Sequence, residues 1–138
     1  MIDVNTARAS LLETSPDEYM SSEQLASFRR LLLNQRAELL TAGEHTLNEL
    51  REQTKLSDEA DRASLEEQRS LAFRMRDRER KLLRKIDAAI ARIDAGTFGW
   101  CEETGEPIGL ARLLARPTAT LSIDGQERKE ARERGYRG

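Results

Sequence analysis

Between residues 65 and 93 the inward-facing residue types recur at alternating spacings of three and four: Leu65, Gln68, Ala72, Met75, Glu79, Leu82, Ile86, Ala89 and Ile93. This is a heptad seam on one continuous helix. A seam needs a partner, and the chain supplies one upstream in Leu25, Phe28, Leu32, Gln35, Leu39, Ala42, Thr46 with Leu47, and Leu50. Folded back antiparallel, the two registers set Leu32 against Leu82, Leu39 against Met75 and Ala42 against Ala72. The same register brings Gln35 opposite Glu79, so the two polar interruptions coincide. A coiled-coil hairpin over residues 21–96 is expected, with its tip at 54–61.

Composition supports a long solvated hairpin on a small head. Charged residues make up 35% of the chain and aromatics 4%, too few large rings to fill a thick core. The net charge of -2 provides no overall basic field for nucleic acid. No positively flanked leader and no run of about 18 apolar residues is present, which argues for a soluble cytoplasmic protein without a membrane partner. Cys101 is the single cysteine, so no internal disulfide can form.

Residues 1–20 carry Leu11, Leu12 and a Ser15-Pro16 break, and are read as a segment packing on the head; for residues 1–19 the sequence leaves a short helix or partial disorder open. Ser21 with Gln24 forms a capping-box pattern, and Met20 with Leu25 a hydrophobic staple. The first helix is expected to end near Gln53, about 48 Å from its start at 1.5 Å per residue. Ser57 or Asp58 can cap the second, and Gly96 is its left-handed C-cap. Interior Gly43 costs about 1 kcal/mol relative to Ala and is expected to mark a local bend. Residues 97–121 read as a turn-rich knuckle, with a helical turn at 110–115 stopped by Arg116-Pro117. Residues 122–138 read as a final polar helix capped by Asp124 and Glu127.

Cys101 and Thr104, then Ser122 and Gly125, have the spacing of a four-cysteine zinc ribbon. Only one of these positions is a thiol, and tetrahedral zinc requires four N, S or O donors; no zinc is expected. Phe98, Trp100, Ile108 and Leu121 are then the candidates to hold the knuckle, with Cys101 a small hydrophobe or an exposed thiol. The tip carries Asp58, Glu59 and Asp61. These acids either decorate a helix N-terminus, favoured by its dipole, or form an acidic probe for a metal or basic residues. Residues 74–85 hold seven basic and two acidic side chains, either a solvated coiled-coil surface or a docking flank of matching charge. Neither a nucleophile–base pair nor a phosphate-cradling loop is visible, so no enzyme and no catalytic residue is expected.

The tip Asp58-Glu-Ala-Asp61-Arg-Ala63, the run Arg76-Asp-Arg-Glu-Arg-Lys-Leu82, the Phe98-Gly-x-Cys turn and the segment from Glu106-Pro-Ile-Gly109 through Leu114-Ala-Arg-Pro-Thr-Ala119 resemble the DksA/TraR family. With three zinc cysteines replaced, the chain is similar to the zinc-independent branch of that family known in pseudomonads. The resemblance implies a mainly α fold: a long antiparallel coiled-coil hairpin on a small zinc-ribbon-like but zinc-less head, with a C-terminal helix. It also implies a monomer that binds bacterial RNA polymerase, inserts the hairpin into the secondary channel, alters open-complex stability and acts with ppGpp in the stringent response. It places the active-site-proximal tip on Asp58, Asp61 and Ala63, the rim contact on Arg78, and the ppGpp interface on Leu82, Lys85 and Arg116. A further lysine of that interface is Gln126 here. Sequence-specific DNA contact is not expected. The alternatives are a secondary-channel transcript-cleavage or anti-cleavage factor and a structural coiled-coil adaptor.

Overall fold

The computed structural model describes Leu11 and residues 18–56 and 62–137. Asp58 and Asp61, with the expected tip turn, lie outside the described residues, as does most of the segment before Glu18. Among the described residues the chain forms α1 (Ser22–Leu56), α2 (Arg62–Ala95), α3 (Leu110–Ala115) and α4 (Ile123–Arg137). Pairing outside helices is limited there to one antiparallel bridge between Trp100 and Pro107. The mainly α architecture with a long helical hairpin is the one expected. The chain divides into two compact units, Met1–Leu32 with Asp87–Gly138, and Leu33–Ile86.

In the second unit the two helices run antiparallel, but not in the expected register. The Glu79 carboxylate lies beside Gly43: a Cβ there would stand 3.1 Å from Oε2. Gln35 is eight residues earlier on α1, so Glu79 and Gln35 do not meet. Ala42 and Gln68, assigned to the seam, are exposed, and Met75 is 44% exposed. The cause is the repeat itself. A heptad seam shifted by about one repeat superimposes apolar on apolar, so spacing alone cannot choose between registers. In addition α1 continues to Leu56 rather than stopping near Gln53, which moves the fold-back along the chain. Gly43 is thus the place where the seam receives a charged side chain.

The first unit contains the core. Phe28, Phe98 and Leu113 are at most 1% exposed, with Ile108 and Leu11 also buried. The rings of Phe28 and Phe98 lie 5.3 Å apart, and each buried side chain of this size contributes roughly 1.5–3 kcal/mol. Trp100, expected inside, is 42% exposed and stands edge-on to Tyr19 at 5.4 Å.

The helix ends follow local chemistry. Ser21 Oγ accepts the Gln24 amide at 3.2 Å, as a capping box requires. The returning Gln24 side chain bonds the Met20 amide at 2.6 Å rather than that of Ser21, because Ser21 N–H is already taken by the Glu18 carbonyl at 2.9 Å. Met20 packs its thioether against Gly99. Gly96 closes α2 with φ 80°, a conformation glycine adopts without Cβ strain. The cap of α4 is Ser122, whose Oγ accepts the Gly125 amide at 3.0 Å; it stands two residues before the expected Asp124.

Candidate functional site

Two clusters hold the candidate residues among the described ones, one in each unit. On α2, Arg78, Leu82 and Lys85 follow one another at spacings of four and three, which places them on one helix face. Arg78 and Lys85 are exposed and Leu82 is half-buried. Leu71, one heptad before Arg78, is 53% exposed. It borders a shallow groove of about 220 Å³ lined by Thr46, Glu49, Leu50, Gln53, Gln68, Leu71, Ala72 and Met75. The basic flank therefore runs beside a trough in which Leu50, Leu71, Ala72 and Met75 alternate with polar side chains. Ala63 sits exposed in the first turn of α2.

The second cluster is the knuckle. Cys101 N–H donates to the Glu106 carbonyl at 2.8 Å and Gly105 N–H to the Cys101 carbonyl at 2.9 Å, closing a tight turn around the thiol. The Glu102 amide reaches across to the Thr120 carbonyl at 3.0 Å. Ser122 Oγ donates to Cys101 Sγ at 3.4 Å. The Cys101 side chain is buried, so it is not the exposed thiol that sequence left as one option. Burial pushes the thiol up, but hydrogen bonds from the side chains and backbones of Ser122 and Thr104 outweigh this and bring it down to about 6.

Several residues that position this cluster were not singled out by the sequence. Tyr19 donates its hydroxyl to the Gly99 carbonyl at 2.5 Å and accepts the Gly109 amide at 3.0 Å, bridging both ends of the knuckle. Burial raises its pKa, partly offset by its backbone hydrogen bonds. Arg112 donates to the Leu121 carbonyl at 2.7 Å and to Gln126 Oε1 at 2.6 Å, tying α3 to the start of α4. Gln126 also reaches Glu130 at 3.1 Å. The Tyr19 contacts span 80 and 90 residues and the Arg112–Gln126 contact 14, so no local pattern announces them.

Comparison with known proteins decides the lineage. The family model described as DnaK suppressor protein DksA, N-terminal domain, matches residues 24–93, and that described as prokaryotic dksA/traR C4-type zinc finger matches residues 96–131. The chain belongs to the DksA/TraR family. It is 52% identical to the RNA polymerase-binding transcription factor DksA of Caulobacter vibrioides, over 89% of this chain and 88% of that protein. It is 42% identical to the protein of the same name from Escherichia coli K12, over 91% and 84%. The solved structure of transcription factor DksA2 from Pseudomonas aeruginosa superimposes with a TM-score of 0.85 at 53% identity, covering 92% of this chain and 98% of that one.

The DksA/TraR zinc-finger model implies a structural zinc, and the knuckle allows a direct test of fit. The four corresponding positions do come together around Cys101, but they offer one thiol, two hydroxyls and a glycine. A Cβ on Gly125 would run into Cys101 Sγ, so the sulfur occupies the volume from which a fourth ligand would extend. Among the described residues no group of three or more His, Cys, Asp or Glu is placed to hold a metal ion. The donor set does not fit a tetrahedral zinc. Arg116, the remaining DksA-type position, caps α3 through its amide on the Arg112 carbonyl at 2.8 Å, with its side chain exposed in the first unit.

Proposed function

We propose that this protein is an RNA polymerase-binding transcription regulator whose hairpin enters the secondary channel of the enzyme and changes open-complex stability. The observation that carries the reading is identity of 42–52% along nearly the whole chain to RNA polymerase-binding transcription factors. The exposed Arg78–Lys85 face supports it, because an exposed basic flank suits electrostatic docking. In this reading Arg78 grips the channel rim, while Asp58, Asp61 and Ala63 act deepest in the channel. Leu82, Lys85 and Arg116 contribute to a ppGpp interface. Gln126 contributes less than a lysine would, being neutral and already engaged with Arg112. The protein works as a non-catalytic monomer in the cytoplasm, without sequence-specific DNA contact. No described helix is long and apolar enough to cross a membrane.

Titration of labelled protein with core polymerase tests the reading, and absence of saturable binding at micromolar concentration would eliminate it. A transcript-cleavage assay on stalled complexes separates it from a cleavage factor. Zinc independence is part of the same proposal, supported by the donor set of the knuckle. Metal analysis should find no stoichiometric zinc, and a chelator should leave the melting temperature unchanged. One tightly held zinc per chain would refute that part.

A further inference from the structure

The second unit has another flank, opposite the groove. The groove-lining residues Glu49 on α1 and Leu71 on α2 mark one side of the helix pair. At 100° per residue, Leu40 lies about 180° around α1 from Glu49, and Phe73 about 200° around α2 from Leu71. Leu33, Leu40 and Phe73 therefore share the side away from Arg78. They are 46%, 43% and 68% exposed, an unusual outlay of apolar surface for a highly charged pair of helices. Arg80 and Arg84 follow Phe73 at helical spacing and are exposed, with half-buried Arg76 beside them. No ion pair neutralises these three arginines among the described residues. Of the acids bordering the strip, Asp77 is held by Lys81 at 3.2 Å and Asp87, one turn beyond Arg84, has an interaction of its own, while Glu44 lies exposed on α1.

In the register fixed by Glu79 and Gly43, the strip extends about 24 Å from the level of Leu33 to that of Phe73, the length of a helix of roughly 16 residues. A second copy applying the same strip would set arginine against arginine, which disfavours self-association. Nucleic acid would satisfy the arginines but leave the leucines in water. We propose that this flank docks an acidic amphipathic helix of the polymerase, its apolar stripe on Leu33, Leu40 and Phe73 and its carboxylates on Arg76, Arg80 and Arg84. The inference rests on the polymerase reading and adds a second contact, on the side away from Arg78.

The test places a photo-crosslinking phenylalanine analogue at Phe73 or at Arg78 and irradiates each protein with core polymerase in the presence of a single-stranded oligonucleotide. Crosslinks from both positions are expected, with the position-73 product mapping to a helical polymerase segment rich in Asp and Glu. Crosslinking from position 78 alone overturns this inference and leaves the polymerase reading standing. Crosslinking from neither overturns both, and capture of the oligonucleotide by position 73 identifies a nucleic-acid surface instead. In parallel, the double variant Leu40→Ala/Phe73→Ala should bind polymerase about tenfold more weakly, with unchanged helix content because both side chains are exposed. Unchanged affinity would overturn the inference.

Discussion

The carboxylate of Glu79 rests against Gly43, across the seam of the second unit, where an added Cβ would come to 3.1 Å from Oε2. Glycine is thus the residue that lets a charged side chain lie over the facing helix backbone. It weakens α1 locally, since a helix-interior glycine costs about 1 kcal/mol relative to alanine. A carboxylate at the end of a flexible side chain can move a few tenths of an ångström at little cost.

Gly43→Ala should therefore stabilise the protein, by about 0.5–1 kcal/mol. Urea unfolding of the variant, alone and with Glu79→Ala, checks this. If the carboxylate resists displacement, Gly43→Ala will destabilise the parent yet stabilise the Glu79→Ala background, and the sign argued here is wrong.

The contact at Gly99 points the other way. Gly99 has φ 90°, and a Cβ there would stand 2.6 Å from Met20 Sδ and 2.8 Å from its Cγ. Gly99→Ala should cost at least about 2 kcal/mol, from the left-handed backbone and the displaced methionine together. Gly105 shares the positive φ, at 74°, but has open space around it. Gly105→Ala should pay the backbone cost alone, so equal losses at the two positions would show that Met20 packing contributes nothing.

Much of this fold was legible because it depends on local chemistry. The Gly96 cap, the Ser21 cap and the 110–115 turn each follow from residues within one turn of one another. The register was not legible, since the Leu32, Leu39 and Leu82 pattern reads the same after a slip of one heptad. At the site, the spacing of Cys101, Thr104, Ser122 and Gly125 pointed to residues that the fold does bring together, Ser122 and Gly125 lying against the Cys101 sulfur. Nothing local could show that Tyr19, some 80 residues before Gly99, would bridge the knuckle, or that Cys101 would be buried under hydroxyl donors.

Those donors give stability a pH dependence. Cys101 falls from its ordinary value near 9 to about 6 in the fold. A lowered acid binds fewer protons folded than unfolded between those values, so stability rises with pH across that window. The contribution is complete above about 9 and is lost as pH falls through about 6. Chemical unfolding of the parent and of Cys101→Ala at pH 6 and pH 8.5 should show a stability difference that widens with pH. Parallel behaviour at both values would mean that the buried sulfur stays protonated.

Affinity and effect should separate along α2. Arg78 lies exposed on the flank of α2, sixteen residues or about 24 Å along the helix from its first residue, Arg62. Under the proposed function, docking by the flank would set how much polymerase is occupied, whereas Asp58 and Asp61 would set what occupied polymerase does. Arg78→Ala should weaken binding and lose an effect that higher concentration restores. Asp61→Asn removes one charge at nearly constant shape, so the variant should fold and bind normally yet fail to shorten open-complex lifetime at saturation. A binding titration run beside a lifetime assay decides between these roles. If Asp61→Asn binds tenfold more weakly and regains full activity at saturation, the tip is an anchor, and the division of labour along the helix is refuted.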